Sequence, residues 1–177
     1  MHGARPVTTL GFLTFFHTAI SFLAIALGIP AVAALFRAEP GGWRTPFIVA
    51  AVLVTGTGFL FPFTGVTPAF AVGIVAALIL LAVVVTWPRP GAGRLARRIH
   101  AAGIVASLYL LVFVLIAQAF QKEPFLKTLA PTGTEAPFAI AQVVALVGFV
   151  GLAIAAVRVI GADRVATSQP RRGPVRG

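Results

Sequence analysis

The sequence predicts an all-α polytopic transmembrane helical bundle of five spans, with the N-terminus outside and the C-terminus inside, and three observations carry that prediction. The first is composition: of 177 residues, 59% are hydrophobic and only 10% are charged, whereas a soluble domain needs about a quarter of its residues charged to cover its surface. The second is a series of five almost uncharged runs near the ~20 residues that a helix needs to cross a hydrocarbon core. The third is the uneven distribution of Lys and Arg around those runs, the mark of a cytoplasmic side.

The first span covers residues 9–36 and the second residues 46–61. The third covers 68–87, the fourth 99–120 and the fifth 137–160, and none contains Asp, Glu or Lys. Only Arg158 intrudes, one turn from the end of the fifth, where a long side chain reaches the headgroups. Three spans open on a proline, at Thr45-Pro46, Thr67-Pro68 and Ala136-Pro137. Proline suits the first helical turn, where its missing N–H has no partner to lose, and a preceding Thr can cap the free amides. The second span is short for a membrane. Either it thins the bilayer locally, or Trp43 anchors and extends it at the interface.

With five spans, Arg5, Lys122 and Lys127 fall on one side. Arg37, Arg44, Arg89, Arg94, Arg97, Arg98, Arg158, Arg164, Arg171, Arg172 and Arg176 fall on the other, eleven cations against three. A four-span chain would erase this bias. The net charge of +10 then serves anionic lipid at the inner surface and excludes a nucleic-acid role, since no folded basic domain carries it. A cleavable signal peptide is rejected for the first span, because its apolar run exceeds the usual h-region of about 7–15 residues. Residues 1–163 are thus expected to form one transmembrane domain, and residues 164–177, rich in Arg, Pro and Gly, a disordered basic cytoplasmic tail.

Little chemistry is left. The chain has no Cys, which removes disulfides, thiolate nucleophiles and thiolate metal sites. Its four acids, Glu39, Glu123, Glu135 and Asp163, all lie outside the spans, so no intramembrane carboxylate can relay protons or couple ions. No phosphate loop or hydrolase motif occurs, and no residue is assigned a catalytic or metal-ligating role.

Polar residues inside the spans are the remaining candidates. His17 lies ~12 Å below the outer surface and His100 near the inner end of the fourth span, ~15 Å apart along the normal. One haem iron cannot use both. His17 shares a helical stripe with Thr14, Ser21, Ala24 and Gly28, and His100 shares one with Gly103, Ser107, Leu111, Val114, Gln118 and Gln121, because residues three and four apart face one way. A stripe of Ala141, Ala145, Gly148 and Ala155 on the fifth span is expected to face protein. The topology gathers His17, Gln118, Gln121 and Gln142 into one outer layer, with Thr55 and Thr57 at similar depth. Such a layer either fixes the helices by hydrogen bonds or holds a ligand. His100 is expected at the interface beside Arg97 and Arg98.

The stretches 58–63, GFLFPF, and 118–132, QAFQKEPFLKTLAPT, followed by Glu135, Pro137 and Phe138, resemble a family of small bacterial inner-membrane proteins with no assigned function. The likeness spans nearly the whole chain and implies the same helices, a characteristic outer loop and a bacterial inner membrane. It departs at His100, where the family pattern has an aromatic, and at Leu111, where it has an amide. Residues 121–136 read either as a lid over the outer layer or, preferably, as an amphipathic connector.

The function favoured by the sequence is a non-enzymatic accessory or scaffolding subunit of a membrane complex, with the bilayer and other membrane subunits as partners and no cofactor. The alternative is an outward-facing binding or redox module for a quinone, lipid or haem, using His17, Gln118, Gln121 and Gln142.

Overall fold

A computed structural model describes residues 5–37, 42–62 and 67–167, with side chains between Thr9 and Ile160 within those ranges. The described residues are helical, with no strand: α1 (Arg5–Ala33), α2 (Arg44–Gly58), α3 (Pro68–Val85), α4 (Arg94–Lys122), α5 (Pro124–Leu129) and α6 (Ala136–Thr167). Four stretches are long and apolar enough to cross a membrane: Thr9–Ala33, Pro68–Val85, Arg94–Lys122 and Ala136–Ile160. They leave Phe12, Phe15, Leu78, Val144 and Val147 at least 60% exposed. Water would penalise that much bare apolar surface and hydrocarbon does not. The chain is therefore an integral, multi-pass membrane protein.

α2 has 15 residues and rises about 22 Å, short of the ~30 Å core. The remaining boundaries follow local chemistry. Thr67 accepts a hydrogen bond from the Phe70 amide at 3.2 Å, with Pro68 in the first turn. α2 starts at Arg44, two residues before its proline, and Trp43 supplies no side-chain cap. α4 starts at Arg94, a full turn before the apolar run that marks it in the sequence. α6 continues past Arg164 to Thr167, into the segment expected to be disordered; residues 168–177 of that segment lie outside the described residues.

α4 is the centre of the packing, touching α1, α2, α3, α5 and α6, while α1 also packs on α2 and α2 on α3. The core lies toward the end where α1 and α3 finish and α2 and α4 begin. It joins Ala31, Val32, Phe47, Ile48, Val83, Ala101, Ile104, Val105 and Ala156. Two glycines make this closeness possible. A Cβ on Gly28 would stand 2.6 Å from Leu108 Cδ1 and 2.9 Å from Phe47 Cε2, and one on Gly103 would overlap Val83 Cγ2. Small residues let helix backbones approach where hydrocarbon gives no hydrophobic drive.

α6 meets α4 through Phe149, Ala153, Ala156 and Ile160 and through a Tyr109–Phe149 ring pair at 5.7 Å. Of its small-residue stripe, Ala141, Ala145 and Ala155 are half-buried, whereas Gly148 is exposed, with open space where a Cβ would stand. An element that is apolar all round does not reveal its protein side by periodicity. α5 packs on α4 yet buries none of its own residues, and Phe125 is 73% exposed, so the segment is an interfacial connector.

Candidate functional site

Below the opposite end of the helices the packing opens into a cleft of about 720 Å³ walled by α1, α2, α3 and α4. It forms because the tight contacts at Gly28 and Gly103 belong to the other half of the molecule, and because short α2 gives way to the turn holding Phe59 and Phe61. Ile25, Val54, Phe59, Phe70, Leu110 and Leu115 supply apolar wall. His17, Thr14, Thr18, Ser21, Thr55, Ser107 and Gln118 supply polar side chains, joined by the exposed Thr67, Lys122 and Glu123.

Two of those hydroxyls, and that of Thr57 beside them, are already engaged. Thr14 Oγ1 donates to Leu10 O at 2.8 Å, and Ser21 Oγ donates to His17 O at 2.7 Å. Thr57 Oγ1 donates to Leu53 O at 2.7 Å and lies 2.8 Å from His17 Nδ1. A hydroxyl has one proton. With that proton on Leu53 O, Nδ1–H of His17 donates to Thr57 Oγ1, which assigns the tautomer and leaves the Nε2 lone pair unspent. The edge of the Phe61 ring, 5.4 Å away, fixes the plane of the imidazole.

Ser107 is 6% exposed and its Oγ, buried in the wall, has no hydrogen-bond partner. Gln118 is exposed on the wall about 16 Å further along α4, at 1.5 Å per residue. The cleft is thus elongated, with one orphaned hydroxyl deep inside and an amide toward its mouth.

The four residues grouped by the sequence do not meet in one place. His17 and Gln118 line the cleft; Gln121 is exposed and lies off its wall. Gln142 faces the α4–α6 seam, where Nε2 donates to Phe113 O at 3.1 Å and Oε1 is buried without a partner. The α6 helix contributes nothing to the cleft wall. Thr55 lines the cleft and Thr57 holds His17, as their depth suggested. Sequence reasoning placed Ser107 on the correct face of α4 but gave it no role, because an orphaned hydroxyl is a tertiary property.

His100 lies at the end of the bundle where α4 begins, as expected, but is enclosed by protein. It is 2% exposed, its Nδ1–H donates to Val83 O at 3.0 Å, and Trp87 packs edge-on at 5.6 Å. Val83 O is among the last carbonyls of α3, which lack partners within their own helix, so His100 caps one helix from another. Its distance from the cleft follows from α2: His17 bonds near the end of that helix, while the His100 region adjoins its beginning, ~20 Å away. Among the described residues no group of three or more His, Asp or Glu could hold a metal ion. No family model, no curated protein and no solved structure matches the chain.

Proposed function

We propose that the protein is a membrane-embedded binding module for an apolar molecule with a hydrogen-bonding head, such as a quinone or a lipid, held in the cleft by His17 and Ser107. The observation that carries this reading is the orphaned Ser107 hydroxyl inside an apolar cleft of ligand size. A buried polar atom without a partner costs free energy that a bound acceptor or donor would recover, and sites of this volume with few polar groups are typical of small-molecule binding. His17 Nε2 acts as acceptor, or as one axial ligand if the occupant is a haem. The bilayer is a bacterial inner membrane on the resemblance stated above. The five-span count, with short α2 completing a crossing and the N-terminus outside, rests on the division of cations.

Purification in mild detergent tests the binding reading. An organic extract and an ultraviolet–visible spectrum should reveal a quinone, lipid or chromophore in stoichiometric amount. That amount should fall in Ser107→Ala and in Ala76→Phe, which fills the cleft. Retention unaffected by either variant refutes it. Reporters fused before Thr9 and after Gly177 test the topology: they should lie outside and inside, respectively.

A second reading, an accessory or scaffolding subunit, is favoured by α6. Gly148 and Gly151 face open space on a helix that leans chiefly on α4, and small residues are the usual seat of a neighbouring transmembrane helix. A partner protein co-purifying in place of a small molecule would select it.

A further inference from the structure

The packed end of the molecule holds a second set of unsatisfied polar atoms, chemically unlike those of the cleft. Arg44 opens α2, and Arg97 and His100 lie one turn apart at the start of α4. Arg44 Nε, Arg97 Nε, Arg97 Nη2 and His100 Nε2 are all buried without a hydrogen-bond partner. Both arginines are half-buried and His100 is 2% exposed. With Nδ1–H committed to Val83 O, the free Nε2 is the ring atom turned away from α3, and Trp87 closes one side of it.

Buried guanidinium N–H donors without an acceptor are costly. No described carboxylate supplies one: Glu123 and Glu135 lie at the opposite end of α4 and before α6. Glu39 and Asp163 lie outside the described side chains. Neither α2 nor α4 carries a side-chain N-cap, so their first amides also favour an anion. The site sits where the apolar helices end, at headgroup depth.

We infer that Arg44, Arg97 and His100 seat one phosphate-bearing anion, the headgroup of an anionic lipid. Arginine matches phosphate through paired N–H donors; with Nδ1–H on Val83 O, His100 offers Nε2 as an acceptor to a hydroxyl of the same headgroup. The inference is independent of the cleft and its occupant.

The test uses the full chain in lipid nanodiscs. Phosphatidylglycerol should raise the melting temperature above that in phosphatidylcholine, and native mass spectrometry should show one retained phosphatidylglycerol. Arg44→Gln with Arg97→Gln should weaken that binding about thirtyfold, on the usual worth of two interfacial arginines. Arg94→Gln with Arg98→Gln, which removes the same charge from two exposed neighbours, should leave it intact. Should the first double variant fold poorly, Arg97→Gln alone, read by the count of retained lipid, carries the test. Equal losses in both double variants, or no preference for phosphatidylglycerol, overturn the site. Inorganic phosphate that reproduces the stabilisation in phosphatidylcholine discs overturns the lipid as its source.

Discussion

The two ends of the molecule solve opposite problems with similar residues. At the His100 end, glycines at 28 and 103 draw backbones together until Phe47, Val83 and Ile104 are completely or almost completely enclosed. At the His17 end, Gly56 has open space at its Cβ position and Gly58 has only the His17 ring at 3.6 Å. There the helices stand apart and leave a cleft. Each end carries a histidine whose Nδ1 is hydrogen-bonded to a neighbouring helix, to Val83 O in one case and Thr57 Oγ1 in the other. A glycine in these helices therefore means closeness only where a bulky residue faces it, and a membrane histidine can serve as a cap as readily as a ligand.

The largest contrast is expected from alanine at the two kinds of glycine. Both Gly103→Ala and Gly56→Ala gain about 0.5–1 kcal/mol of helix preference. Gly103→Ala must also displace Val83, a stiff β-branched side chain, at about 1–3 kcal/mol. Thermal unfolding in detergent should place Gly103→Ala clearly below the parent and Gly56→Ala at or above it. Equal melting temperatures would mean that the packed end is no tighter than the hollow one.

A smaller contrast separates the histidines. His100→Leu leaves Val83 O unpaired in the core, costing about 1–3 kcal/mol, with partial rescue by His100→Gln. His17→Leu leaves Thr57 Oγ1 still bonded to Leu53 O, so its cost should be nearer the ~0.6 kcal/mol of an average interhelical bond. It should nevertheless exceed that of Phe16→Leu, which exchanges one lipid-facing apolar surface for another. If His17→Leu destabilises as much as His100→Leu, the hollow end depends on its histidine for folding and the binding role loses its separation from structure.

The smallest effect concerns the loop at the hollow end. Some desolvation pushes the Glu135 carboxyl upward, but hydrogen bonds from the Thr132 amide and hydroxyl and the Thr134 amide prevail and hold it below its ordinary 4.5. A depressed folded value means that the carboxylate helps at neutral pH and that this help is lost as pH falls through the folded value. Hydrogen exchange at Thr132 and Thr134 should speed up between about pH 6 and about pH 3, after correction for intrinsic rates. Glu135→Gln should abolish the pH dependence. No change in the parent would show that the turn closes without the carboxylate.

Much of the scaffold was legible because its signals are local. Thr67-Pro68 announces α3 by cap chemistry, and Thr14, His17 and Ser21 fall together by the 3.6-residue period alone. The enclosure of His100 was not legible because its arginine neighbours suggest an open position, while α4 begins at Arg94 and the ring reaches a carbonyl that only the packed α3 presents. Gln121 and Gln118 are three residues apart, and the rotation between them separates rim from wall. Gln142 misses the cleft because α6 adds to the far side of α4, which no periodicity in an all-apolar helix records. The orphaned atoms of Ser107, Arg44 and Arg97 were beyond any sequence pattern, since what they lack is a neighbour.

The central place of α4 also bears on how the chain is made. The first three helices leave the ribosome carrying three sides of the cleft, and only α4 completes the wall they begin. Until it arrives, that space opens onto the surrounding bilayer, so an enclosed cleft exists only once the fourth helix has inserted beside the first three.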